Sequence, residues 1–387
     1  MMRSFSTLRN VRRCGTPAGE HVTVRATIGP EGTSAGVAGL TSCGSVWACA
    51  YCSAVIARER TDELDEGMRR WLDPAVREAK GLSGPGGLGL ATFTMSHRRE
   101  DALADLWADM LKAWRRFTSA RAYKEARRAM GVVGFHRTTE VTWGANGWHV
   151  HFHVLYFLED GSAVTPEQGW DLLGAWIAQV GGVGRVATSH GQDFKVLSGD
   201  ADDLRGVSLY MLKGVYDADA AGAERRSAAA VRGVRNLALE IGRGDLKIAP
   251  NKVTRSPFGI LADNVAHILR WGTPDVTFPV WTEFEAASKG KRQQFWSRGL
   301  RDLLDLGVVL TDEEVVEAAT VEGETLVVVL AHHWRRFAVR SDRVLALLTV
   351  VERARTYEAA QAAAGALLDL YAIPWTYEAH NGAERAA

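Results

Sequence analysis

The chain has 387 residues, 46 basic against 46 acidic, with 47% hydrophobic and 24% charged. That length suits two or three domains, and the composition supplies a core and excludes a wholly disordered chain. Zero net charge excludes recognition of a polyanion by bulk charge, so any nucleic-acid surface must be local. The longest apolar runs, 344–351 and 326–331, fall far short of the ~20 residues that span a bilayer, and arginines interrupt the N-terminal segment where a signal-peptide core would lie. The reading is a cytoplasmic protein with no membrane partner.

In chain order, the first signal is cysteine. Cys14, Cys43, Cys49 and Cys52 all lie in the first 52 residues. A C-x5-C-x2-C block with one further thiol upstream, in a cytosolic chain, reads as a structural Zn²⁺ site; a redox pair or free thiols are the alternatives. Residues 54–80 read as helical, and the glycine-rich stretch 81–89 marks a boundary. Residues 1–80 thus form a cysteine-rich, zinc-binding module with a helix.

The next segment, 90–97 (LATFTMSH), reads as a strand. An amphipathic helix follows, with Leu103, Leu106, Trp107, Met110, Leu111, Trp114 and Phe117 at three and four spacing. Two strands, 132–143 and 148–158, flank Gly144-Ala145-Asn146-Gly147, a hairpin signal. Thr165-Pro166-Glu167-Gln168 opens a helix, with Thr as N-cap, Pro in the first turn and Gln three residues on. A strand near 194–197 and a helix over 202–216 complete the order. The expectation for 85–262 is an α+β domain, a central antiparallel β-sheet with packed helices. Residues 263–387 read as a helical and mixed C-terminal region for DNA binding or interaction, with a strand-like run at 324–331 and an alanine-rich helix at 359–370.

The sharpest chemistry lies in the hairpin. In WHVHFHVL, a strand's period of two puts His149, His151 and His153 on one face and Val150, Phe152 and Val154 on the other. Neutral imidazole binds divalent metals. If Ala145-Asn146 is the loop, Glu140 lies opposite His151; if Asn146-Gly147 is the loop, it lies opposite His153. Either register puts a carboxylate on the histidine face, a mixed N/O set suited to Mg²⁺ or Mn²⁺ acting on phosphate. Tyr210 and Lys213, three residues apart, share one side of a helix. A tyrosine facing a metal-bound phosphate can serve as nucleophile, its phenolate stabilised by the ammonium.

Basic residues cluster despite the neutral total. Arg225, Arg226, Arg243, Lys247, Lys252 and Arg255 form one group; Lys289, Lys291, Arg292, Arg298 and Arg301, interleaved with Phe295 and Trp296, form another. Both suit phosphate contacts, the second with base stacking.

The motif order FTMSH, then EVTW and NGWHVHFHVLYF, then YMLK, resembles the HUH endonucleases, and within them the single-tyrosine initiators of rolling-circle plasmid replication. The segments CGSVWACAYCSAVIARER and DLKIAPNKVTRSPFGILAD are similar to that family too, so the likeness spans roughly residues 14–263. The resemblance implies an HUH fold and a site-specific single-strand nickase acting on plasmid origin DNA, with a host helicase and DNA polymerase as further partners. It implies His151 and His153 as metal ligands, Glu140 as the third, His149 as an alternative ligand or a neighbour, and Tyr210 as the nucleophile that leaves a 5′-phosphotyrosine and a free 3′-OH. Two departures stand out: Gly206 occupies the position where such initiators often carry a glutamate, with Asp203 and Asp217 as substitutes, and Ala50 stands where proline is usual. Within the superfamily the alternatives are a single-strand transposase or a relaxase, although relaxases usually carry the tyrosine ahead of the histidines. Outside it they are a non-catalytic zinc-containing DNA-binding regulator and a metal hydrolase of small substrates.

Overall fold

The computed structural model describes residues 5–30, 32–197, 204, 207, 211, 254–318, 323–339 and 341–377. Among them the strands are β1 (His21–Gly29), β2 (Gly32–Ala38), β3 (Gly87–Phe93), β4 (Val132–Gly144), β5 (Gly147–Leu158), β6 (Asp193–Val196), β7 (Gln294–Trp296) and β8 (Glu324–Leu330). The helices before β6 are α1 (Arg9–Arg13), α2 (Ala50–Leu72), α3 (Pro74–Ala79), α4 (Leu103–Ser119), α5 (Arg121–Ala129) and α6 (Pro166–Gly181). The described residues divide into two compact units. One takes in the N-terminal segment to Ile56 and the segment from Leu310 onward, and the other runs from Ala57 to Val309. The linear reading into 1–80, 85–262 and 263–387 has no such discontinuous unit.

The first unit is built on an antiparallel sheet of order β2-β1-β8. In β1 every second residue, Val22, Val24 and Ala26, is fully buried, the mark of a strand with one face on a core. That face meets Val327 and Val329 of β8 and a helical layer contributing Trp334, Phe337, Leu347, Val351, Ala360 and Leu368.

The second unit is built on a five-stranded antiparallel sheet of order β6-β3-β5-β4-β7. One face carries α4 and α6. The α4 spacing buries Leu106, Trp107, Met110, Trp114 and Phe117, and Phe93 of β3 lies 6.0, 5.3 and 5.2 Å from the rings of Trp114, Phe117 and Trp176. Such edge-on and tilted contacts are the favoured aromatic geometry. The start of α6 is the capping box expected of its sequence: Gln168 N–H donates to Thr165 Oγ1 and Thr165 N–H to Gln168 Oε1.

The opposite face is apolar at one end. Leu88, Leu90, Leu155 and Phe157 join Leu64, Met68 and Trp71 of α2, with Leu300 and Leu304. Leu204 and Met211 are helical and buried in the same cluster, and helical Val207 packs against it. Trp71 Nε1 donates to the carbonyls of Gly87 and Leu158 at 2.9 and 3.1 Å, tying α2 to the sheet. The helical run expected over 54–80 is broken after Leu72: Asp73 accepts from Ala75 N–H and Val76 N–H, and Pro74 starts α3, because proline fits a first turn but not a helix interior. No helix among the described residues is long and apolar enough to cross a membrane.

Candidate metal centres and catalytic site

The site is built on the β4–β5 hairpin. The strands pair from Val132↔Leu158 to Gly144↔Gly147, which makes Ala145-Asn146 the connection and sets Glu140 opposite His151. Gly147 fixes this register. Its φ is +82°, and a Cβ there would stand 2.9 Å from the Cα of Arg99 and 3.0 Å from its carbonyl oxygen, so glycine alone fits. The hairpin is anchored from outside as well. Trp148 Nε1 donates to Glu283 Oε2 at 2.9 Å while the other oxygen of Glu283 accepts from Leu103 N–H at the start of α4, and Trp143 exchanges two backbone hydrogen bonds with Arg255.

Because β5 alternates, the face that is apolar at Leu155 and Phe157 continues as His153, His151 and His149. Glu140 Oε2 accepts from His151 Nε2 at 3.1 Å and from His153 Nε2 at 2.8 Å. The ligand-type atoms of these three residues all lie within 4.8 Å of one another. His151 and His153 are buried, at 8% and 1% exposure. Burial pushes the Glu140 carboxyl up, but the hydrogen bonds from His151 and His153 outweigh it and hold the group well below the usual carboxylate range. His153 Nδ1 bonds the Thr92 hydroxyl at 3.1 Å, which orients its ring, whereas buried His151 Nδ1 has no hydrogen-bond partner among the described residues.

His149 stands outside this group of three. Its ring stacks on His151 at 4.6 Å on one side and on His97 at 5.0 Å on the other. Burial, with His151 and His97 nearby, pushes its pKa down to about 3. His97 Nδ1 donates to the carbonyl of Asn146 at 2.9 Å. His97 was legible only as the last residue of FTMSH, with no role attached; the hairpin turn gives it one.

The four thiols converge on the first unit. Cys14 lies 3.6 Å from Cys52 and from Cys49, and Cys43 lies 3.6 Å from Cys52. All four cysteines are buried and unbridged. A tetrahedron with roughly 2.3 Å zinc–sulfur bonds has edges of about 3.8 Å, so the spacing is consistent with zinc. Hydrogen bonds among the four sulfurs hold the Cys14 and Cys49 thiols below their ordinary range and push those of Cys43 and Cys52 above it; a bound Zn²⁺ would ionise the thiols it coordinates. The long interval between Cys14 and Cys43 is consumed by the β1–β2 hairpin. Its base continues through Gly15 N–H to Thr41 O, Ala18 N–H to Gly39 O and Thr41 N–H to Thr16 O, which closes Cys14 onto Cys43.

Of the other expected residues, Tyr210, Lys213, Gly206, Asp203, Asp217, Arg225, Arg226, Arg243, Lys247 and Lys252 lie outside the described residues. Arg255 Nε pairs with Asp263 at 3.1 Å. Arg292 and Arg298 are exposed and Lys291 is half-buried. Arg301 is buried and bonded to Glu63 Oε1 at 2.5 Å, an internal ion pair rather than a solvated cation. Trp296 packs 4.6 Å from His136 within the sheet, whereas Phe295, 6.1 Å from Phe135, is exposed.

These features define a mixed α+β protein with antiparallel sheets, a buried four-cysteine cluster consistent with zinc and a His-His-Glu group that could bind a metal. The chain is similar to the Protein rep of Streptomyces lividans, at 29% identity over 76% of this chain and 71% of that protein. No protein-family model and no solved structure matches it.

Proposed function

We propose that the protein initiates plasmid replication by the rolling-circle route, as a single-tyrosine HUH endonuclease that nicks one strand of the double-strand origin. The observation that carries this reading is the convergence of Glu140, His151 and His153 on one face of an antiparallel sheet. The likeness to Protein rep points the same way.

The three side chains fit a divalent cation. Two imidazoles and one ionised carboxylate converge in a buried place, a mixed N/O set that tolerates the harder ions. Mg²⁺ or Mn²⁺ held there supplies Lewis-acid polarisation of a phosphate oxygen. His149 would flank the ligands through its stack on His151.

The nucleophile we assign is Tyr210. Leu204, Val207 and Met211 are helical and belong to the cluster of Leu155 and Phe157, on the histidine face of β5; Tyr210 falls between Val207 and Met211 in the chain. The Tyr210 oxygen forms a bond to phosphorus as its proton leaves, and the bond from phosphorus to the 3′-oxygen breaks. The products are a 5′-phosphotyrosine and a free 3′-OH, the end from which a host polymerase, with a helicase ahead of it, extends. Lys213 stabilises the phenolate. Arg225, Arg226, Arg243, Lys247, Lys252, Arg255, Lys291, Arg292 and Arg298 contact the DNA backbone.

The test is incubation with single-stranded origin DNA and Mn²⁺, followed by denaturing electrophoresis. The wild type gives a covalent protein–DNA adduct, whereas Tyr210→Phe binds DNA and forms none. An adduct with Tyr210→Phe, lost instead in Tyr216→Phe, would reassign the nucleophile.

A further inference from the structure

We infer that the cleft beside the histidine ladder is a base-binding subsite, which holds one unpaired nucleobase of the strand whose phosphate lies at Glu140, His151 and His153. This rests on the reading of the protein as a DNA nickase and adds a place where the substrate's base, rather than its backbone, is gripped.

The cleft has a volume of about 400 Å³, and its lining includes Met95, Ser96, His97, His149, Val186 and Ala187. That is within the size of pockets that take small organic ligands. Its position is set by three stacked rings. His151 carries His149 at 4.6 Å, and His149 carries His97 at 5.0 Å, with interplanar angles of 21° and 26°. The ladder runs from a residue of the buried His-His-Glu group outward to the cleft, so a phosphate at His151 has its own or an adjoining base within reach of His97.

The walls have the chemistry a base requires. Imidazole faces stack on nucleobases without demanding a particular one. Buried Met95 and the exposed side chain of Val186 add apolar surface to the lining. His97 Nδ1 donates to the Asn146 carbonyl, so in its neutral form Nε2 keeps a lone pair that accepts from an exocyclic amine or a ring N–H. The loop is stiffened: Ser96 N–H donates to Val186 O at 2.7 Å and Val186 N–H to Ser96 Oγ at 3.1 Å. Thr94 N–H donates to buried Gln192 at 2.8 Å. A rigid slot binds a flat ring with little ordering cost.

The experiment uses the full chain with fluorescein-labelled single-stranded 20-mers of dA, dC and dT and an abasic 20-mer of the same backbone, read by anisotropy. The wild type binds at least one base-bearing strand roughly fivefold or more tighter than the abasic one. Ala187→Trp, which fills the cleft, and His97→Ala, which removes the outer ring, both lose that preference and keep the affinity for the abasic strand. Full retention of the preference in both variants overturns the subsite, as does equal wild-type binding of all four strands. If origin DNA forms the Tyr210 adduct yet both variants retain the preference, the subsite alone fails; if none of the strands binds and no adduct forms, the nickase reading fails with it.

Discussion

His136 makes the second unit's stability fall in mild acid. The residue lies on β4, on the same face as Glu140 and four positions before it, and is fully buried. Its Nε2 bonds Gln294 Oε1 at 2.9 Å, which places the proton on Nε2 and leaves Nδ1 bare. Burial, with the guanidiniums of Arg60, Arg301 and Arg137 nearby, pushes the pKa down from 6.5 to about 4 against the opposing bond to Gln294. Below pH ~6.5 an unfolded chain takes up the proton and the folded one does not until about pH 4, so stability rises with pH across that window and is lost on acidification. At about 1.36 kcal/mol per unit, the full loss is about 3 kcal/mol, of which most has occurred by pH ~4.5. His136→Gln removes the titration. Urea unfolding at pH 7.5 and 4.5 should show the wild type losing roughly 2 to 3 kcal/mol more than the variant on acidification. Parallel losses in the two proteins would refute the argument.

Further outcomes follow from the two metal groups and the hairpin turn. His151→Ala and His153→Ala should abolish adduct formation while leaving the fold and DNA binding nearly intact; unchanged Mn²⁺-dependent nicking in either would remove the ligand assignment. Glu140→Ala should weaken Mn²⁺ affinity by a smaller factor, measured by titration, because water can replace one oxygen ligand. Purified protein should carry one zinc, with Cys14, Cys43, Cys49 and Cys52 protected from alkylation until a chelator is added; no zinc and four freely reacting thiols in the native state would contradict the cluster's role. Gly147→Ala should cost about 1–3 kcal/mol through its left-handed backbone, with more from the close approach of Arg99. An unchanged melting temperature would argue against this register.

How much of this was legible depended on range. The hairpin, the shared face of His149, His151 and His153, and the capping box at Thr165 are local patterns, and each was readable from its own dozen residues. The pairing of Glu140 with His151 was one of two options, and what selects it is the backbone pairing Gly144↔Gly147, with Gly147 in the left-handed region, a conformation that the residue types alone do not display. β1 and β2 went unread: GTSAGVA is too small and polar to announce a strand, and the partner that buries Val22 and Val24 is β8, some 300 positions away. Arg301 illustrates the opposite failure. A charge in a basic run read as suited to phosphate contacts, and only the approach of Glu63 from α2 turns it inward.

The place of β1 between β2 and β8 has a consequence in time. A ribosome completes all of residues 57–309 before Glu324–Leu330 exists. The ~290 residues between Ala38 and Glu324 take roughly 15 to 60 s to make at ~5–20 residues per second. For that interval β1 has one neighbour and one open edge, the kind of edge that pairs with whatever strand it meets. A chain cut short after the second unit would keep its hairpin of histidines but lack the strand that closes β1, leaving an open edge of the kind that aggregates.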